Sequence, residues 1–410
     1  MHYSCKMLII LVATTFANTS NAKDLVNIND FPSWFKESMA REASLTETSK
    51  LKIESLVIEG EVLGSYKLGE KGDDFWYYTV DIGSAYPVEC YVFTSYDGAA
   101  TSLNAIVEAA LSNTQELNKK SLSSRFTYGL DTGVINSSPY ITFDVLYNLG
   151  EGNEKVAGVI KSLVSENNGI LRMCLHNEIG YRDTFLKTFE SFVTTMDQRS
   201  NDSFFEATYK LIVNNLPMGY VQEIYAVDVD GDIAIENRTA LIAPVDANTV
   251  STNDVVRSAW SSPDGSLINA NEYSLQNGNV NFQFSIQYID DSWQVEGTLQ
   301  GKEIKKTLEY NEWLLSAYGS YVSLENLKAS EDTSTELYMW SPAADPSNAI
   351  PVKLSQLPEN KNANFEIDMG PIVMQFLADQ DNIFRKGTLQ QGPMTMQMSL
   401  IHAKGKPKLP

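Results

Sequence analysis

Between residues 281 and 299 the chain alternates apolar and polar side chains with a period of two, broken by one acidic turn. Phe282, Phe284, Ile286 and Tyr288 share one side, Asp290-Asp291 marks the reversal, and Trp293 and Val295 resume the pattern. That period sends successive side chains to opposite faces of a strand, so the stretch reads as a hairpin with one apolar face. The same texture fills most of the second half. Residues 220–229 and 232–242 flank Asp230-Gly231, a hairpin turn signal. Further strands are predicted at 304–310, 313–318, 321–327, 336–340, 364–369, 372–377 and 393–402, with one helix at 204–214. So many strands with short turns can hide their apolar faces only by curling one sheet or stacking two. The prediction is a mostly antiparallel β domain, built as a meander, half-barrel or sandwich.

The first half mixes periods. Strands are expected at 52–67, 74–82, 86–96, 140–147, 155–164 and 169–176. A helix at 102–118 places Leu103, Ile106, Val107, Ala110 and Leu111 at three- and four-residue spacing, and a second at 181–196 buries Phe185, Leu186, Phe189, Phe192 and Val193. A short helix is expected at 30–42, with Pro32 in its first turn. The expected fold class is therefore α+β: an N-terminal α/β sandwich with an antiparallel sheet, then a larger β domain. The boundaries read as a signal peptide at 1–22, a helix and linker at 23–51, the sandwich at 52–196, a polar linker at 197–204, and the β domain with a basic tail at 205–410.

The signal reading rests on three zones: Lys6 in a short leader, an apolar run over residues 7–16, and Ser20-Asn21-Ala22 before the expected cleavage. Ten residues rise only about 15 Å as a helix, half of a bilayer core, so the run is too short to stay as an anchor. No later stretch approaches the length of a membrane span. The expectation is export to the periplasm or beyond. With 31 basic and 52 acidic residues the chain carries a formal charge of −21, which repels nucleic acid and anionic headgroups. Cys90 and Cys174 survive cleavage. In an oxidising compartment a disulfide closing a loop of about 84 residues is the simpler reading, with two buried thiols the alternative.

In its order of elements, residues 52–196 resemble a PsbP-like α/β sandwich. Residues 205–405 resemble the half-barrels of bacterial lipoprotein carriers of the LolA type. The second resemblance implies a hydrophobic ligand inside a curved sheet and carries over no individual residue.

Candidates for chemistry are few. Cys174 and His176 lie two apart on one predicted strand, which brings thiol and imidazole to one face without setting a hydrogen bond between them; a disulfide would remove the nucleophile. Zinc held by Cys90, Cys174 and His176 would need a fourth ligand from Glu89 or Glu178. Asp228, Asp230 and Asp232 suggest a calcium loop, but Ile233 stands where an EF-hand needs glycine, so a hairpin is preferred. No G-x-S-x-G elbow and no phosphate-binding glycine loop occurs. What remains is the aromatic and methionine content of the second half. Phe282, Phe284, Trp293, Trp313, Trp340, Met374 and Phe376 are the candidate ligand-binding residues, with Met369, Met394, Met396 and Met398 in the same strands. The leading expectation is non-catalytic binding of a hydrophobic small molecule or lipid, or of another envelope protein, with no cofactor and no metal. A hydrolase using acidic residues and a purely structural or inhibitory surface protein are the alternatives.

Overall fold

The computed structural model describes residues 31–53, 58–167, 169–196, 202–246, 248–358, 362–391 and 394–409. The expected signal peptide and most of the expected 197–204 linker lie outside them. The described residues form two compact units, residues 31–196 with 242–252, and residues 202–241 with 253–409.

The first unit opens with α1 (Ser33–Met39) and a hairpin of β1 (Thr48–Ile53) and β2 (Ile58–Leu63). Then come β3 (Ser65–Leu68), β4 (Phe75–Asp81), β5 (Val88–Phe93), α2 (Ala99–Asn118), β6 (Leu122–Ile135), β7 (Ser138–Leu149), β8 (Val156–Asn167), β9 (Ile170–His176) and α3 (Arg182–Met196). Seven strands make one antiparallel sheet in the order β3-β4-β5-β9-β8-β7-β6. The stripe of α3 (Phe185, Phe189, Phe192 and Val193) packs with Tyr78, Val88, Cys90, Val92 and Cys174. On α2 the residues Leu103, Val107 and Leu111 are buried, and that helix packs against β7, β8 and β9. Strands covered on both faces lose their alternation, which is why every residue of β9 is buried. Strand β6 was not expected. It is an edge strand, largely half-buried and interrupted by Gly129 and Gly133, so it shows neither period.

The second unit holds β10 (Ser203–Val213), β11 (Leu216–Val227), β12 (Ile233–Pro244) up to residue 241, β13 (Val250–Ser261) from residue 253, β14 (Leu267–Gln276), β15 (Asn279–Ile289), β16 (Ser292–Leu299) and β17 (Lys302–Thr307). After α4 (Ala317–Ala329) follow β18 (Ser334–Ser341), β19 (Asp345–Gln356), β20 (Phe365–Asp368), β21 (Val373–Ala378), β22 (Phe384–Gln391) and β23 (Met394–Gly405). All fourteen join one antiparallel sheet. It runs from β17 back to β10, crosses to β23, and runs back again to β18. The first and last strands of the unit thus pair at its middle, Tyr209 against Leu400 and Leu211 against Met398. Lys302, Lys305 and Lys306 line the β17 edge, where charge discourages further pairing.

Three expectations fail here. Residues 204–214 are strand, not helix: Phe205, Ala207, Tyr209, Leu211 and Val213 are buried on one face, and the aromatic residues at 204 and 205 hide that period of two. Residues 321–327, expected as strand, are helical. Ser316 caps α4 by accepting a hydrogen bond from the Gly319 amide at 2.8 Å, and Tyr318, Tyr321, Leu324 and Leu327 recur at three-residue spacing along its buried side. Residues 313–318 are likewise no strand. Residues 313–316 form a strap, and 317–318 begin α4: the Leu267 amide donates to the Leu314 carbonyl and the Leu315 amide to the Tyr338 carbonyl, both at 2.7 Å, tying β14 to β18. Strands β13 and β14 were also unforeseen, because Ser251, Thr252, Asn253 and Asp254 read as turn residues.

Helix α4 can seat only because two glycines touch. Gly265 has φ +95°, and a Cβ on Gly319 would lie 2.2 Å from the Gly265 carbonyl oxygen. Glycine to alanine in an open helix gains up to about 1 kcal/mol. Here Gly319→Ala is expected to lose about 1–3 kcal/mol, because the helix must back away from the β13–β14 turn. A rise in the urea midpoint of the variant would show that the contact yields freely.

Candidate ligand cavity

The apolar faces of β10 to β16 and of β18 to β23 turn toward α4. Tyr321 of the helix packs on Phe205, Tyr225 and Phe384, with ring centroids 5.7, 6.0 and 5.2 Å away, and Tyr318 sits 5.9 Å from Tyr225. At this level the trough is full. One residue pair further along β10, Tyr209 gives way to Leu211, the helix supplies no side chain, and a cavity of about 120 Å3 remains. Leu211, Val221 and Leu241 line it on β10, β11 and β12. Met374, Phe376, Leu389, Met396 and Met398 line it on β21, β22 and β23, and Thr239, Asn253, Gly387 and Thr388 complete the lining. Gly387 is needed there, since a Cβ would meet the Phe376 ring at 2.7 Å. The volume is close to the roughly 150 Å3 of an engineered apolar cavity that binds benzene.

Beneath the cavity lies a hydroxyl cluster. Tyr321 and Tyr225 both donate to Glu223 Oε2, at 2.9 and 3.3 Å, and the Tyr209 and Tyr321 hydroxyls are 3.4 Å apart. Since Tyr321 donates its proton to Glu223, Tyr209 must be the donor of that third contact. Desolvation pushes the Glu223 carboxyl above its usual range, against the two phenol bonds that favour its charged form. Desolvation also raises the three phenols well above theirs, so they stay protonated donors.

Of the candidate ligand-binding residues, the structure brings Met374 and Phe376 to the cavity. Phe282, Phe284, Trp293 and Trp340 lie in the solid core around α4. The two tryptophans there satisfy their ring N–H groups on the carbonyls of Glu312 and Pro346. Trp313 is exposed, in the strap region rather than in the cavity. Sequence reasoning passed over Leu211, Val221, Leu241, Asn253 and Leu389. Alternation assigns such residues a face, and no local signal tells at what height along the trough a void will fall.

In the first unit Cys90 and Cys174 stand opposite each other on β5 and β9 and are disulfide-bonded, so the thiol–imidazole reading has no thiol. His176 Nε2 lies 3.1 Å from Ser84 Oγ and 3.2 Å from the Tyr86 carbonyl oxygen. Burial, joined by the positive charge of Lys161, pulls its pKa down to about 3. Lys161 donates to the Gly180 carbonyl, and burial brings its ammonium down to about 8. Asp144, buried, pairs with Arg182. Glu42 accepts from the Asp183 and Thr184 amides at 3.0 and 2.9 Å and so caps the start of α3 from a distant part of the chain. In the β11–β12 turn Asp228 Oδ1 accepts from the amides of Asp230 and Asp232, a turn-capping role. Among the described residues no group of three His, Cys, Asp or Glu is placed to hold a metal ion, and no helix is long and apolar enough to cross a membrane.

No protein-family model matches the chain, and no curated protein matches its sequence. Among solved structures it is similar to a β-barrel-like protein of a domain of unknown function, DUF1849, from Brucella abortus. That likeness has 10% identity and a TM-score of 0.39, and it covers 50% of this chain and 99% of the other. The strand pairings of the chain itself make it an α+β protein with a large antiparallel β unit.

Proposed function

We propose that the second unit binds an apolar small molecule or the hydrocarbon part of a lipid in the cavity lined by Leu211, Val221, Met374, Met396 and Met398, and that the chain does so as an exported, non-catalytic binding protein. The observation that carries this reading is a cavity whose surface is apolar, lined chiefly by leucine, valine, methionine and phenylalanine side chains, beside an otherwise close-packed core. A void retained among three flexible methionines suits an occupant whose shape varies. The lipoprotein-carrier resemblance of residues 205–405 points the same way. Export is supported by the leader composition and by the disulfide, which is at home in an oxidising compartment.

Methionine-methyl NMR tests the reading directly. Titration with hexane is expected to shift the 13C-methyl resonances of Met374, Met396 and Met398 and to leave Met173, buried in the other unit, unmoved. Val221→Trp fills the cavity and is expected to abolish the shifts. Unmoved resonances in the unsubstituted protein, or equal shifts in Val221→Trp, would reject the cavity as a binding site.

A further inference from the structure

We infer that a second surface of the same unit, around the strap, docks a basic partner: a protein segment that presents arginine or lysine to an aromatic and acidic patch. The inference does not depend on the cavity reading. Tyr288, Ile289, Trp313 and Tyr338 stand at the surface, Tyr338 39% and Trp313 45% exposed. The fold gathers them from β15, the strap and β18. Three donors hold the turn before the strap by consecutive carbonyls. Tyr288 Oη donates to Asn311 at 3.2 Å, Trp293 Nε1 to Glu312 at 2.8 Å, and Tyr310 Oη to Trp313 at 3.3 Å. Tyr310 also stacks on Tyr338, with centroids 4.4 Å apart and the rings 27° from parallel. The patch is therefore held in place before any partner arrives, which lowers the ordering cost of binding. Holding the turn uses hydroxyls, a buried indole and the Trp313 backbone. It makes no use of the Trp313 ring, on which no aromatic ring stacks among the described residues. Exposed tryptophan and tyrosine in one patch are the residues that dominate the energetics of protein interfaces.

The charge around the patch selects the partner. Residues 286–301, 307–320 and 334–352, which supply it, contain no lysine or arginine. Asp290, Asp291, Glu309 and Glu312 are all exposed there and form no ion pair among the described residues. Glu312 lies close enough to Tyr310 to help burial push that phenol up. On the adjoining β17 edge Lys305 is paired with Glu296, and Lys306, opposite Val295, is exposed. Lys353 stands opposite Glu336. The balance at the patch stays negative. A guanidinium or ammonium gains there twice, from the aromatic faces and from the carboxylates beside them. A formal charge of −21 on the whole chain also steers a basic partner inward. The same patch on a second copy would set acid against acid. A neutral sugar would use the rings and draw nothing from the charge.

The test titrates an octapeptide alternating glycine and arginine into the full chain, read by the indole 15N–1H resonance of each tryptophan. The Trp313 resonance is expected to shift, while that of Trp34, exposed in the other unit, stays in place. Trp313→Ala keeps the carbonyl that Tyr310 bonds, and affinity is expected to fall about tenfold in it. Should that variant fail to fold, the shift in the unsubstituted protein still decides. Glu309→Gln with Glu312→Gln is expected to weaken the peptide several-fold. Asp73→Asn with Asp74→Asn, an equal loss of exposed charge in the other unit, is expected to change little. An unmoved Trp313 resonance would overturn the inference, as would equal shifts at Trp34. Equal losses in the two charge variants would show that net charge alone attracts the peptide, and would overturn it too. Maltohexaose moving Trp313 as strongly as the peptide would make the patch a sugar site. Self-association that Trp313→Ala abolishes, seen by sedimentation, would make its occupant a second copy. Either result rejects the basic partner.

Discussion

Replacing Cys90 and Cys174 together by alanine is expected to cost the first unit about 4–5 kcal/mol. The bridge joins positions 84 apart in the chain and opposite each other on β5 and β9. Those strands sit in the middle of the seven-stranded sheet, under the aromatic stripe of α3. In the chain-entropy argument a cross-link stabilises by limiting the unfolded state, and the effect grows with the logarithm of the loop. Hydrogen exchange localises the result. Amides of β5 and β9 exchange through unfolding of the unit, so their protection should drop by about three orders of magnitude in the variant. Amides of β21 and β22 in the other unit should keep theirs. Unchanged protection in β5 and β9 would mean that packing alone holds the central strands together.

The second large effect is acid sensitivity through His176. Its folded pKa, about 3, lies below the ordinary 6.5 because burial penalises the imidazolium and Lys161 adds a like charge nearby. A depressed folded pKa contributes stability that is fully present above the unfolded value and is lost as pH falls through the window between the two. Here that window runs from pH 6.5 down toward 3. A shift of this size corresponds to roughly 4–5 kcal/mol at the bottom of the window. The buried carboxyls work in the opposite direction. Asp144, Glu223 and Glu272 have their pKa values raised by desolvation, so each gains stability as it takes up a proton. Whole-protein acid curves therefore mix both signs, and the informative quantity is a difference. The unfolding free energy of the His176→Gln variant, subtracted from that of the unsubstituted protein, should be flat above pH 7 and fall steadily below pH 6.5. A pH-independent difference would show that the folded imidazole titrates as it does in the unfolded chain.

How much of this was legible from residues alone differs by element. The strand pair at 281–299 was plain, because one face of that hairpin is buried and the other is not, and the period of two survives in the sequence. Both long helices of the first unit were plain for the same reason at the helical period. Helix α4 was not. Its residues Tyr318, Tyr321, Leu324 and Leu327 suit a strand as well as a helix, and what selects the helix is the Ser316 cap together with a surrounding sheet that encloses it. Strand β10 failed in the opposite sense, since it is paired on both sides at the centre of a fourteen-stranded sheet and nearly every position is covered.

The amino-acid sequence by itself determined the class of fold, the acidic charge and the apolar faces that must meet, and it favoured the pairing of Cys90 with Cys174 over two buried thiols. Each is a local or compositional property: a period, a charge balance, a count of two. The cavity was decided only by tertiary structure. Where the void lies depends on how far α4 reaches along the trough, and Tyr209 and Leu211, two residues apart on one strand, end up on opposite sides of that limit. Asn253 reads locally as a turn former, and only the folding of β13 beside β14 gives its amide nitrogen a partner and leaves its oxygen without one.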